Sequence, residues 1–240
     1  MDGYGQFCPI ALGAEIFAQR WTPLILRELL LGSHRFSELQ RGLPRISRNL
    51  LVQRLAFLED AGVIERHERA DERGFDYYPT AAGEELRPVV LALGTWGYKW
   101  TAHELRPDTL DAGLLMWFLR RRVNTEQLPN ERVLVRFQFR GQGKGPTWME
   151  EQQAFWLMLD KPDVELCLSD PGHDVGLIVE ADLEAMVRVY LGHLPLAEAL
   201  RTRSVELSGR RDLRSGFRAW LGISHYAHEQ PVSRRLAAAH

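Results

Sequence analysis

Cysteine is almost missing from this chain. Cys8 and Cys167 are the only two in 240 residues. A pair so widely separated makes neither a disulfide framework nor a Cys/His zinc signature. Long apolar runs are missing as well, so no segment reads as a membrane span. The N-terminus, MDGYGQFCPIALG, lacks the basic start and apolar centre of a secretion signal. These absences predict a reducing, cytoplasmic setting with no membrane among the partners. An excess of one charge is also lacking. The chain has 30 Lys and Arg against 32 Asp and Glu, a net −2, so the whole-molecule field does not single out a polyanion. There is no internal repeat and no low-complexity tract. With 45% hydrophobic and 26% charged residues the chain can build an ordinary core, and its length suits two domains.

Signatures of catalysis are wanting too. GQGKGP (141–146) lacks the spacing of a phosphate-binding loop and reads as a strand-to-strand turn. His225 and His228 stand one helical turn apart without an evident third ligand. His173-Asp174 follows Pro171-Gly172 and reads as a turn. No nucleophile elbow is present. The sequence therefore predicts no enzyme, no cofactor and no metal.

What is present begins with local charge. Between Arg35 and Arg54 lie five arginines (Arg35, Arg41, Arg45, Arg48, Arg54) and one acid, Glu38. A basic patch on a weakly acidic chain suits a protein that binds nucleic acid selectively. Around it the pattern is that of a winged helix-turn-helix. A first helix is expected from about Pro9 to Gln19. A second begins where Thr22 caps and Pro23 takes the first helical position, and it stops at Gly32. A short helix from Arg35 to about Arg41 is broken by Gly42-Leu43-Pro44. Ser47 caps the next helix, which runs to about Ala61 with Gly62 after it. Val63–Glu68 and Phe75–Pro79, joined by the polar ADERG turn, read as the hairpin of a wing. From Ala81 to about Trp100 the pattern is helical again, with Pro88 as a kink or early turn.

The helix after Ser47 carries the chemistry. Wound at 3.6 residues per turn, it groups Leu50, Leu51, Phe57 and Leu58, with Leu55 at the edge. Arg48, Asn49, Val52, Gln53 and Ala56 fall opposite. Arg pairs with guanine O6 and N7, Asn and Gln with adenine N6 and N7, and Val touches a thymine methyl. Arg45 and Ser47 stand at the helix start, where backbone N–H groups favour a phosphate. Arg54 falls among the apolar residues and is expected to snorkel or meet a carboxylate. Arg35 belongs to the same basic patch. Arg69 and Arg73 flank the wing turn as candidate phosphate contacts, balanced by Glu68, Asp71 and Glu72.

Several motifs then fall in order: CPI, RWTPLILREL, RFSEL, the Ile46-Ser47 pair, RLAFLEDAGVIER, YYPTAAGEEL and a terminal Trp-Gly. Over about residues 7 to 100 the chain resembles the HxlR-type winged helix-turn-helix regulators of bacteria. It departs from them at Gln19-Arg20-Trp21, where the family has Gly-Lys-Trp, and at Pro79-Thr80, where it has Leu-Thr. The resemblance implies a homodimer on double-stranded DNA, on a palindromic operator, with terminal helices at the interface. Val89, Leu91, Leu93, Trp96 and Trp100 suit that interface. Some relatives sense oxidants through a cysteine in the position of Cys8, which makes it a redox candidate, although nothing basic adjoins it.

Past HELRPDT (103–109), the linker candidate, the texture changes. A helix is expected from Leu110 to about Val123, and strands at 132–140, 154–160, 164–170 and 175–181. Helices at 182–192 and 195–203, a strand at 204–209 and a helix at 212–222 complete the pattern, with fraying from about His225. This half resembles a sterol-carrier-protein-like domain, which implies a cavity for an apolar, lipid-like small molecule. By that analogy Trp148, Phe155, Trp156, Met158, Met186, Leu191 and Leu194 are its candidate walls. A plain core needs the same residues. The expectation is an α+β chain with a winged helix-turn-helix DNA-binding and dimerisation domain, 1–105, and a smaller sterol-carrier-protein-like domain, 110–225. Its expected function is that of a dimeric transcriptional regulator under possible ligand control. The alternatives are a small-molecule carrier whose winged domain only dimerises, and a thiol sensor working through Cys8.

Overall fold

A computed structural model describes residues 3–70, 74–101, 105–140 and 154–229. The chain is a mixed α and β protein that divides into two compact units, Met1–Gly94 and Thr95–His240. Arg73, Trp148, the 141–146 loop and the first part of the 103–109 linker fall outside the described residues. Among the described residues no helix is long and apolar enough to cross a membrane.

The first unit holds helices α1 (Pro9–Phe17), α2 (Thr22–Leu30), α3 (Phe36–Gly42) and α4 (Arg48–Asp60). The hairpin strands β1 (Ile64–Glu68) and β2 (Phe75–Pro79) and the short α5 (Ala81–Glu85) follow. Its core is a set of helix stripes at the spacing that brings residues to one face. Ile25, Leu26 and Leu29 come from α2, Leu39 from α3, and Leu51, Leu55 and Leu58 from α4, with Val63 and Ile64 leading into β1. The hairpin is antiparallel and in simple register, from Ile64 opposite Pro79 to Glu68 opposite Phe75.

Two expectations about this unit are corrected. Thr22 does not cap α2. The helix starts one residue earlier, from Trp21 at φ +79°, and Thr22 is its first residue, fully buried. The helix expected from Ala81 to Trp100 is two helices, α5 and α6 (Arg87–Thr101), separated at Leu86. Pro88 explains the break, because it has no N–H to give to the carbonyl of residue 84 and its ring crowds that carbonyl. As the second residue of a new helix the same proline is well placed. The division between the two units falls inside α6.

The second unit contains α7 (Ala112–Arg122), β3 (Val133–Arg140), β4 (Ala154–Asp160), β5 (Asp163–Cys167) and β6 (Val175–Asp182). After these come α8 (Leu183–Tyr190), α9 (Leu196–Arg201), β7 (Val205–Gly209) and α10 (Arg211–Trp220). The strands form one sheet in the order β5-β4-β3-β6-β7, with β3 and β6 parallel and the other pairs antiparallel. Alternation sorts the side chains. Val135, Phe137 and Phe139 of β3, Phe155, Leu157 and Leu159 of β4, and Leu177, Val179 and Ala181 of β6 are buried. They join one core with Met116 and Trp117 of α7, Met186 and Val189 of α8, and Leu213, Phe217 and Trp220 of α10. Asp111 caps α7, its carboxylate accepting from the Leu114 N–H at 2.9 Å. The C-terminal half of α6 is held in this unit. The Tyr98 hydroxyl donates to the Leu191 carbonyl at 2.8 Å, and burial pushes its pKa up. Lys99 pairs with Glu229 at 2.8 Å. The chain is therefore still ordered where fraying was expected: Ser224 caps a 3₁₀ turn at His225–His228.

Candidate nucleic-acid interface

The presentation of α4 follows from its start and from its buried stripe. Ser47 is extended and its hydroxyl accepts the Leu50 N–H at 3.3 Å, a side-chain cap. Leu51, Leu55 and Leu58 are buried beneath the helix. The opposite side therefore faces solvent, and Arg45, Ser47, Arg48, Asn49, Val52, Gln53 and Ala56 are all exposed. Val52 is 51% exposed, an apolar group left open among hydrogen-bonding side chains, which a merely solvated face does not require. The Arg48 guanidinium lies over the Phe36 ring at 5.0 Å, which restrains its aim without using its donors. The stripe thus presents bidentate donors, amides and a branched methyl pair along one helix, the groups needed to distinguish base edges.

The turn before α4 is fixed from below. Glu28 on α2 is completely buried and accepts hydrogen bonds from its neighbours. Arg27 donates to it at 3.0 Å and the Ser33 hydroxyl at 3.3 Å. Arg27 also donates to the Gly42 carbonyl at 2.9 Å, tying α2 to the end of α3. Gly42 has no room for a side chain, since a Cβ there would fall 2.1 Å from the Glu28 carboxyl carbon. A buried carboxylate of this kind holds its place only while paired, so it ties α2 to the end of α3 at Gly42. Nothing local in the apolar PLILRELLL run marks Glu28 for this role.

Arg35, exposed, stands at the start of α3, where its backbone N–H donates to Glu38 at 3.1 Å. In the wing, Arg69 is half-buried and its guanidinium lies 3.7 Å from Asp76, so its charge is partly engaged inside the hairpin. Arg66, on β1, covers the Phe75 ring at 4.4 Å and meets Glu59 at 3.4 Å. Thr80 closes the wing, its hydroxyl donating to the Gly62 carbonyl at 2.7 Å while accepting from Gly83 N–H. Among the described residues Arg54 meets no carboxylate. Its partner is the Gln19 side-chain carbonyl at 3.3 Å, and its Nε is buried with no partner.

The residues expected around an apolar ligand are spread over several places. Phe155 and Met186 are fully buried in the core, and Leu194 packs against that core. Trp156 and Met158 lie on the other face of β4, half-buried. Leu191 lines a cavity of about 130 Å³ together with Leu110, Leu114, Phe118, Val187 and Tyr190. Cys8 is half-buried at the start of α1 and unpaired by any disulfide.

Three comparisons bear on this geometry. Residues 16–105 match the family described as HxlR-like helix-turn-helix. A helix-turn-helix-type transcriptional regulator of Synechocystis is 35% identical over 101 residues, which is 42% of this chain and 75% of the relative. The regulator YvaP of Bacillus subtilis is 34% identical over 108 residues, 44% of this chain and 96% of the relative. Among solved structures, the reduced form of the transcriptional regulator YodB from B. subtilis is 29% identical and covers 39% of this chain and 94% of its own. Its TM-score is 0.35, too low to carry an argument. The matched stretch contains the whole stripe on α4.

Proposed function

This chain belongs to the HxlR-like helix-turn-helix family of transcriptional regulators, and from that premise we propose that it reads a palindromic operator in double-stranded DNA as a homodimer. The outward stripe of α4 carries the reading. Arg48, Asn49, Val52 and Gln53 contact base edges, while Arg45 and Ser47 at the helix start meet phosphate. Arg35, Arg69 and Arg73 are assigned to the flanking backbone, where contacts set register rather than sequence. Support for the homodimer comes from large apolar groups left open. Phe7 is 98% and Ile10 81% exposed, and Val89, Leu91, Leu93, Trp96 and Trp100 of α6 are exposed as well. Exposure on that scale marks an interface.

The second unit is assigned ligand control. The apolar cavity between α7 and α8 supports it, and its volume is near that of the roughly 150 Å³ cavity that admits benzene. It suits a small apolar group better than a long acyl chain. Benzene as a probe is expected to raise the melting temperature, and Leu191→Trp to abolish that rise.

The deciding experiment is fluorescence anisotropy with a duplex from the region upstream of the chain's own gene. Its affinity is expected to exceed that for a scrambled duplex by about a thousandfold or more. It is also expected to fall steeply between about 50 and 200 mM salt. Equal affinity for both duplexes would favour a carrier whose winged unit only dimerises.

A further inference from the structure

The second unit has a larger concavity than the apolar one, and its chemistry is different. A groove of about 450 Å³ runs along β7, bounded by the end of α9 and the first turns of α10. Arg203, Arg211 and Arg214 line it with Ser215, whose hydroxyl donates to the Asp212 carbonyl at 3.0 Å, and Leu200, Val205 and Leu207 contribute apolar surface. The two α10 arginines lie three residues apart, so they share a helix face. Arg203 reaches the same groove from the turn before β7. Its backbone sits at φ +59°, and its carbonyl is held by the Arg140 guanidinium at 2.9 Å.

The charges do not balance locally. Glu206 borders the groove, but Arg140 takes its carboxylate at 3.1 Å together with that of Asp182. Asp212 is bound by Arg210, which holds its carboxyl below the usual range. Glu131 is taken by Arg210 as well. Among the described residues no carboxylate engages the side chain of Arg203, Arg211 or Arg214. Three arginines therefore line one concavity without a carboxylate partner among the described residues. Like charges gathered in this way repel each other, and a bound anion relieves the repulsion. A guanidinium fork matches phosphate or carboxylate oxygens two at a time.

We propose that this groove binds an organic phosphomonoester with a small apolar body, its phosphate held by Arg203, Arg211 and Arg214 and its body against Leu200 and Leu207. The site is separate from the apolar cavity and from α4, so it stands whether or not the chain binds an operator. Calorimetry on the full chain tests it with three probes: phenyl phosphate, inorganic phosphate and phenol. Phenyl phosphate is expected to bind with one site per chain, at least about tenfold more tightly than either inorganic phosphate or phenol. Arg211→Ala combined with Arg214→Ala is expected to weaken it by at least about tenfold. Arg218→Ala, one turn further along α10 and outside the groove, is expected to leave it within about twofold. Both altered positions are exposed, and an unchanged melting temperature will show that the fold is intact. Saturable binding that survives the double substitution would overturn the proposal, as would no binding up to about 10 mM. Equal affinity for inorganic and phenyl phosphate would overturn the apolar subsite. Loss of duplex affinity in the double variant, without phenyl phosphate binding in the parent, would assign these arginines to DNA instead.

Discussion

Helices α4 and α10 both turn arginine to solvent, and their surroundings give those side chains different meanings. On α4 the exposed row is Arg48, Asn49, Val52, Gln53 and Ala56. Long donors alternate with small apolar groups, so neighbouring positions differ in what they can recognise. On α10 the exposed residues are Arg211, Asp212, Arg214, Ser215, Arg218 and Ala219, and Asp212 is taken by Arg210. Arg211, Arg214 and Ser215 share a groove with another arginine and with leucines. A mixed row suits a ligand whose chemistry changes every few ångströms, as base edges do. Arginines gathered beside apolar surface suit one compact anion. The buried sides differ as well. Leu213, Phe217 and Trp220 make the buried stripe on α10, whereas the charged Arg54 interrupts the one on α4; each side leaves one buried nitrogen without a hydrogen bond, Trp220 Nε1 and Arg54 Nε. What stands between the arginines and around them identifies the partner, more than how many arginines there are.

The comparison can be broken first at the cores. Phe217→Ala is expected to cost the second unit about 3–5 kcal/mol, and Leu51→Ala the first unit about 2–5 kcal/mol. Urea unfolding followed by tryptophan fluorescence and by circular dichroism should assign each loss to its own unit. A coincident loss from either substitution would mean that the two helices do not belong to independent cores. The functional rows come next. Arg48→Ala and Gln53→Ala should each reduce operator affinity by about 1–3 kcal/mol with the fold unchanged, whereas Arg211→Ala should leave operator affinity alone. Smaller still is the cap: Ser47→Ala should cost about 1 kcal/mol of stability and loosen the start of α4, read from amide exchange at Leu50. The smallest effect belongs to Tyr98→Phe, which removes the hydroxyl bonded to Leu191 and should cost the second unit about 0.5–1.5 kcal/mol. Burial raises the Tyr98 pKa, so the folded state resists its ionisation. That contribution is present below the ordinary tyrosine value of about 10 and lost as pH rises through the folded value. Alkaline titration of the parent and of Tyr98→Phe should therefore differ in that direction.

Much of the first unit is written in local signals. Ser47 and Gly62 bracket α4, and the ADERG turn separates two strands whose observed limits, Ile64–Glu68 and Phe75–Pro79, lie within a residue of those expected. Such caps and turns act over a few residues and can be read there. The role of Glu28 could not, because the partners that make its burial tolerable, Ser33 and the bare Gly42, come near it only after α2 and α3 pack. The break at Leu86 was half legible: Pro88 gave warning, but a kink and a new helix look alike in sequence. In the second unit the strands could be found by alternation, while the parallel pairing of β3 with β6 joins segments far apart in sequence and has no local mark. The basic groove has the same character. The spacing of Arg211 and Arg214 is visible in DLRSGFRAWLG, yet the approach of Arg203 depends on the path of the chain into β7. The exposed row on α4 was legible because one helix carries all of it.

The most direct test measures Gln53→Ala against two duplexes, the operator found upstream of the chain's gene and a scrambled duplex of equal length. If α4 reads bases, affinity for the operator falls by about 1–3 kcal/mol while affinity for the scrambled duplex barely changes. An equal fall on both, or no fall on either, would contradict base reading by α4.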